Sequence, residues 1–146
     1  MDDTDIRILR ELAGDARLSY NEIARRTGLS VGTVATRVRN LEKQGVIKGY
    51  GAVLDAEKMG YGLVAIIELV ISKGRLGEVE REVAKNPNVY GVYDVTGASD
   101  AIVIARFKSR EALSMFVKSL LASEFVDRTL THVALGTVKE DFRLTI

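Results

Sequence analysis

Residues 19–45 read SYNEIARRTGLSVGTVATRVRNLEKQG. Ser19 followed by Glu22 has the spacing of a capping box, in which hydroxyl and carboxylate satisfy free amides of a first helical turn. Ile23 and Ala24 give the short helix that follows an apolar face. Thr27-Gly28-Leu29 then makes a tight turn, because Gly28 takes a positive φ at no Cβ cost. Ser30 caps a second helix, in which Val31, Val34, Val38 and Leu41 fall at i, i+3, i+7 and i+10. Its opposite face carries Gly32, Thr36, Arg39, Asn40 and Lys43, flanked by Thr33 and Arg37. Hydroxyl, amide and guanidinium groups on the outer helix of such a pair can reach base edges and phosphates in a DNA major groove.

Upstream, residues 3–13 predict another helix, with Ile6, Leu9 and Leu12 or Ala13 at helical spacing. Thr4 or Asp3 would cap it and Gly14 would end it. Three helices of this length share one small core, expected from Ile6, Leu9, Leu12, Leu18, Ile23, Leu29, Val34, Val38 and Leu41. Between Arg17 and Lys48 the chain holds seven basic residues and two acidic ones, whereas residues 51–146 hold twelve basic and thirteen acidic. The overall net charge of +1 thus hides a positive stretch on the helix-turn-helix, where a phosphate backbone would attract it.

Downstream of Gly45 the periodicity changes. Val46, Ile47, Tyr50, Val53 and Leu54 suggest a short extended segment, and Asp55–Gly60 is polar and loosened by glycine. The sequence therefore divides into a helix-turn-helix, winged-helix-like domain (1–50), a hinge or linker strand (51–62) and a second domain (63–146). The second domain reads as strand 63–72, helix 74–86, strand 88–96, turn 97–100, strand 101–108, a helix capped by Ser109, and an extended stretch 125–138. That order, β-α-β-β-α-β, is ferredoxin-like, and the whole chain is of the α+β class. Such a sheet carries helices on one face only. Ile66, Val70, Tyr93, Val95, Ile102 and Ile104 exceed what one helical layer covers, so a homodimer through the open face or an edge strand is expected.

Absences narrow the function. There is no cysteine, which excludes disulfides and thiol catalysis. One histidine without cysteine predicts no metal site. The patterns G-x-x-x-x-G-K-[ST], G-x-S-x-G and H-E-x-x-H are missing, so no cofactor and no enzyme activity are expected. No run approaches the roughly 18–20 apolar residues of a membrane span, and no signal peptide is read at residues 1–12. A cytoplasmic protein is the expectation.

The candidate DNA contacts fall into two groups. Ser30 caps the recognition helix and can face phosphate; Thr33 and Thr36 can read bases or touch thymine methyls; Arg37 suits guanine or phosphate. Arg25, Arg26, Arg39, Lys43 and Lys48 suit phosphates, and Asn40 lies on the same outer face. In the second domain, Gly97-Ala98-Ser99-Asp100 has two readings. It is a strand-to-strand turn of ordinary chemistry, or a loop whose amides hold a carboxylate while Asp100 holds an ammonium, the two ends of an amino acid. His132 is either an ordinary strand residue or, beside Thr131, part of the same pocket.

The chain resembles the Lrp/AsnC family, the leucine- and asparagine-responsive regulators. The family's opening D-x-x-D-x-x-I-L and later A-R stand here as Asp2, Asp5, Ile8, Leu9, Ala16 and Arg17. Its recognition-helix signature is matched by Leu29, Ser30, Thr33, Val34, Arg37, Val38, Leu41, Glu42, Gly45, Val46 and Ile47. Its linker pattern is matched by Gly49, Tyr50, Ala52, Leu54, Asp55 and Gly60. Its G-x-x-D turn is Gly97 to Asp100, and its T-x-T strand is Thr129 and Thr131. The resemblance implies a sequence-specific regulator of double-stranded DNA, assembled from dimers into larger even oligomers, often octamers. It also implies an amino acid or related metabolite bound near Gly97–Asp100, Thr129, Thr131 and His132. Ala101 stands where the family often has a larger aromatic residue. Similar proteins include sirohaem decarboxylases, so a tetrapyrrole enzyme is one alternative; an architectural DNA-binding protein with little sequence preference is another.

Overall fold

A computed structural model describes all 146 residues. The chain divides into two compact units, residues 1–53 with 139–146, and residues 54–138. By contacts within the chain, the last eight residues cluster with the helix-turn-helix.

The first unit is built on α1 (Asp3–Gly14), α2 (Tyr20–Thr27) and α3 (Val31–Lys43). Asp2, not Thr4 or Asp3, caps α1. Its carboxylate accepts from the Asp5 amide, and the Asp5 carboxylate accepts from the Asp2 amide in return, which completes a capping box. Ser19 caps α2 by accepting from Glu22 N, and Gly28 (φ 67°) ends it in the left-handed region. Ser30 caps α3 through Thr33 N. The core is Ile8, Ile23, Ala24, Val34 and Val38, with Leu12, Leu18, Leu29 and Ile47 packed around it.

Three expectations change. Ile8 supplies the fully buried anchor of α1, while Ile6 and Leu9 are only half-buried and line a groove with Val46, Ile47, Phe142 and Leu144. Val31, expected on the apolar stripe of α3, is 43% exposed. Residues 46–53 form no strand, so the expected extended segment is irregular chain.

The second unit opens with a closed turn rather than a loose linker. Met59 N donates to Asp55 O, Gly60 N to Glu57 O and Tyr61 N to Ala56 O, with Gly60 at φ 84°. Then follow β1 (Leu63–Ile71), α4 (Leu76–Val83), β2 (Val89–Asp94), β3 (Ala101–Phe107), α5 (Arg110–Leu121) and β4 (Val126–Val133). The sheet order is β2-β3-β1-β4, with every neighbouring pair antiparallel. The fold class expected from the sequence is the one observed.

Register decides the two faces, because successive side chains alternate. Ala65, Ile67 and Leu69 of β1 pair with Ala105, Val103 and Ala101 of β3. All are buried against α4 and α5, with Phe107 and Phe116 rings 5.4 Å apart. Ile66, Glu68 and Val70 point the other way, beside Ile104 and Ile102 of β3 and His132, Leu130 and Arg128 of β4. This second face is largely apolar, with Glu68, His132, Arg128 and Arg106 as its charged or polar members.

Candidate DNA-binding and ligand-binding sites

The outer face of α3 is as expected: Gly32, Thr36, Arg39, Asn40 and Lys43 are all exposed. Lys48, beyond the helix, is exposed too. Ser30 and Thr33 are tied together, hydroxyl to hydroxyl at 2.8 Å, at the helix's first turn. Three other cations expected on DNA, Arg25, Arg26 and Arg37, make ion pairs within the unit while staying partly or largely solvent-exposed. Arg25 and Arg26 both bind the Glu22 carboxylate, and Arg26 also binds Glu11. Their hydrogen bonds hold the Glu22 carboxyl down to about 2.

Arg37 also has partners within the unit. Its Nη1 donates to Asp2 at 2.7 Å and to Asp5 at 3.2 Å, and Asp5 is buried at 7% exposure. The guanidinium thus joins α3 to the capping box of α1. In the free protein it thereby sets the recognition helix against the helix behind it, a positioning task beside the guanine or phosphate contact expected of it. The paired residues lie more than thirty positions apart, so spacing could not reveal them.

Glu22 also sets a pH response. Its folded pKa lies below the unfolded carboxyl value, so its contribution is present above about pH 4.3 and lost as pH falls towards 2. Both guanidinium partners are solvent-exposed, so salt screens this contribution. Glu22→Gln is expected to flatten the acid side of the stability profile between pH 4.5 and 2 at low salt, with little change at 1 M salt. A denaturation series across that range checks it, and an unchanged slope would remove Glu22 from the account.

In the second unit Gly97 takes φ 124°, a conformation that favours glycine. Asp100 is built into the turn: its carboxylate accepts from Ile71 N at 2.7 Å, and its own amide donates to Leu69 O at 2.8 Å. It therefore fastens the end of β1. Thr129 and Thr131 pair with Leu69 and Ile67, on the helix-facing side of β4, whereas His132 pairs with Ile66 on the open side. The three residues do not line one surface.

Glu68 joins what the turn and β4 leave apart. Its carboxylate accepts from Ser99 Oγ and meets His132 Nε2 at 2.9 Å. The Ser99 hydrogen bond first, and the His132 contact second, hold its carboxyl below the usual range. A shallow cavity beside it is lined by Asp94, Val95, Thr96, Ala98, Ser99 and Ile102. The sequence did carry a signal for this residue: Glu68 is the one charge in the run LVAIIELVIS, at the parity of Ile66 and Val70. A carboxylate in a central strand calls for partners.

Residues 1–48 match winged helix-turn-helix DNA-binding domains, and residues 64–144 match the Lrp/AsnC ligand binding domain. An uncharacterized HTH-type transcriptional regulator of Pyrococcus furiosus is 50% identical over 144 residues, which cover 99% of this chain and 97% of that one. The HTH-type transcriptional regulator FL11 of Pyrococcus horikoshii is 35% identical over 146 residues, covering 100% and 97%. Among solved structures, a transcriptional regulator from Neisseria meningitidis in complex with L-Met superposes with a TM-score of 0.87 at 31% identity, covering 99% of this chain and 96% of that chain. Fold and surface together define a two-domain DNA-binding regulator with a separate ligand-binding domain. The chain belongs to the Lrp/AsnC family of transcriptional regulators. No helix is long and apolar enough to cross a membrane.

Proposed function

We propose that this regulator is sequence-specific, acts in the cytoplasm as a homodimer or higher even oligomer, and changes its assembly or DNA affinity on binding an amino acid. The observation that carries the DNA half is the outer face of α3, where Thr36, Arg39, Asn40 and Lys43 stand exposed on a helix capped at its groove-entering end. Support for an amino acid comes from the L-Met complex of the Neisseria relative and from the polar cluster of Glu68, Ser99 and His132 on a largely apolar sheet face. That face offers apolar area for a second copy. The reading is of a regulator and not of a catalyst, on the strength of the DNA-binding and ligand-binding domains that the chain matches.

A thermal-shift screen against the twenty amino acids, with mass followed by light scattering, tests the sensing half. A shift for one or a few of them, with a change in mass, is expected. No shift with any would overturn the amino-acid reading, and uptake of a Soret-absorbing tetrapyrrole would revive the enzyme alternative. The DNA half is tested by the ratio of specific to non-specific affinity at stated salt; a ratio near one would favour an architectural protein. Lys43→Ala is expected to weaken all sequences alike and lower the salt slope by about 1, whereas Arg39→Ala should cost about 1–3 kcal/mol at selected sites. Equal losses on every sequence would place Arg39 on phosphate.

A further inference from the structure

The first turn of α3 holds two residues that the unit's own packing does not explain. Val31 is an apolar β-branched residue, yet it is 43% exposed at the first helical position, turned away from the core made by Val34 and Val38. Gly32 follows it inside the helix. A Cβ added there would meet only Ser30 Oγ, at 4.0 Å, an ordinary contact, and its φ is not positive. Glycine within a helix is less favourable than alanine. Nothing within the chain calls for glycine at 32 or for an apolar side chain at 31, so the cause lies in what this end of the helix meets.

The neighbouring polar groups sharpen the point. Ser30 Oγ already accepts from Thr33 N and shares a proton with Thr33 Oγ1. Much of the hydroxyl capacity at this end is therefore used in closing the helix. What it presents outward is an isopropyl group beside a bare stretch of backbone. In a major groove the apolar feature of a base pair is the C5-methyl of thymine. A residue without a side chain lets the helix backbone approach closely.

We infer that Val31 is a specificity-determining residue of the recognition helix, reading a thymine methyl by apolar contact, and that Gly32 permits the close approach this contact needs. The inference rests on the proposed sequence-specific binding, and its test separates the two. Duplexes are selected from a random library with the full-length protein. Each thymine of the selected site is then replaced singly by deoxyuridine, which removes only the methyl. Burial of one such group is worth about fourfold in affinity, so wild type should lose about that factor at one thymine per half-site. Val31→Ala should bind the methylated site about as weakly and be indifferent to deoxyuridine at that position. Gly32→Ala should raise the melting temperature, since alanine favours the helix, and yet weaken binding. That opposite sign is not produced by loss of fold.

A selected site at which every deoxyuridine is tolerated overturns the inference. So does a Val31→Ala protein that keeps its full sensitivity to each methyl. A library from which no sequence emerges would overturn sequence-specific binding itself, and this inference with it.

Discussion

Asp5→Ala is expected to destabilise the helix-turn-helix unit by about 2–3 kcal/mol. Asp5 is buried, and its carboxylate does two things at once. It accepts from Asp2 N at 2.9 Å, half of the capping box of α1, and it accepts from Arg37 across to α3 at 3.2 Å. Loss of a cap costs about 1 kcal/mol and loss of a charge-assisted hydrogen bond about 1.5–3, with some return because the buried carboxylate's desolvation penalty also disappears. Arg37→Ala should act in the same direction by a different route, since it leaves the buried Asp5 carboxylate without its cation. The double substitution should then fall short of the two single losses added together. Chemical denaturation of the three variants reads this directly. The DNA side separates positioning from contact. If Arg37 holds α3 in place, Arg37→Ala weakens operator binding without changing its salt slope. If Arg37 neutralises a phosphate, the slope falls by about 1. Full stability in both single variants would dissolve the clip altogether.

That clip marks where the sequence stopped being legible. Ser19, Ser30 and Gly28 act through neighbours within a few residues, so spacing alone placed α2, its turn and α3. Val34, Val38 and Leu41 bury as their period requires. On α1 the apolar residues Ile6, Ile8, Leu9, Leu12 and Ala13 offer two stripes, and helical period cannot say which one meets the core. The structure buries Ile8 and leaves Ile6 and Leu9 on a groove. Charged side chains are the hardest case. The Glu22 pairs of Arg25 and Arg26 lie at helical i, i+3 and i+4 spacing and were within reach of the sequence, whereas the partners of Arg37 and the Arg26–Glu11 contact are fixed by tertiary packing. The positive field of the stretch survives their pairing, since Arg39, Lys43 and Lys48 stay exposed on or beyond α3.

The second domain shows the same division. The ferredoxin-like order foretold one packed face and one open face, and the register places Ile66, Ile102 and Ile104 on the open side. The turn at Gly97–Asp100 was legible as a turn. That Asp100 would fasten Ile71 was not, because its acceptor geometry depends on β3 lying next to β1, a pairing made across an intervening helix and strand.

Glu68→Ala is expected to abolish the ligand-induced thermal shift while operator binding in the absence of ligand is kept. Glu68 is the carboxylate that draws Ser99 of the turn and His132 of β4 to one point on the open face. An amino acid seated at the turn brings an ammonium that needs an anion. Asp100 already serves the backbone of β1, so Glu68 is the better placed group. At a ligand concentration one hundred times Kd the stabilisation is about 2.7 kcal/mol, and the substitution should bring it close to zero. Glu68→Gln separates charge from scaffold, for the amide can keep partners at Ser99 and His132 but offers no charge. It should retain the melting temperature of the free protein and still lose the response. The pH dependence follows from the lowered carboxyl of Glu68. The charge persists above the ordinary carboxylate range and is lost only as pH falls through the depressed folded value. The response should therefore persist as pH falls through the ordinary carboxylate range and fail only below it. A Glu68→Gln protein that responds as wild type does would show that the cluster holds the sheet face together and leaves ligand recognition to other groups.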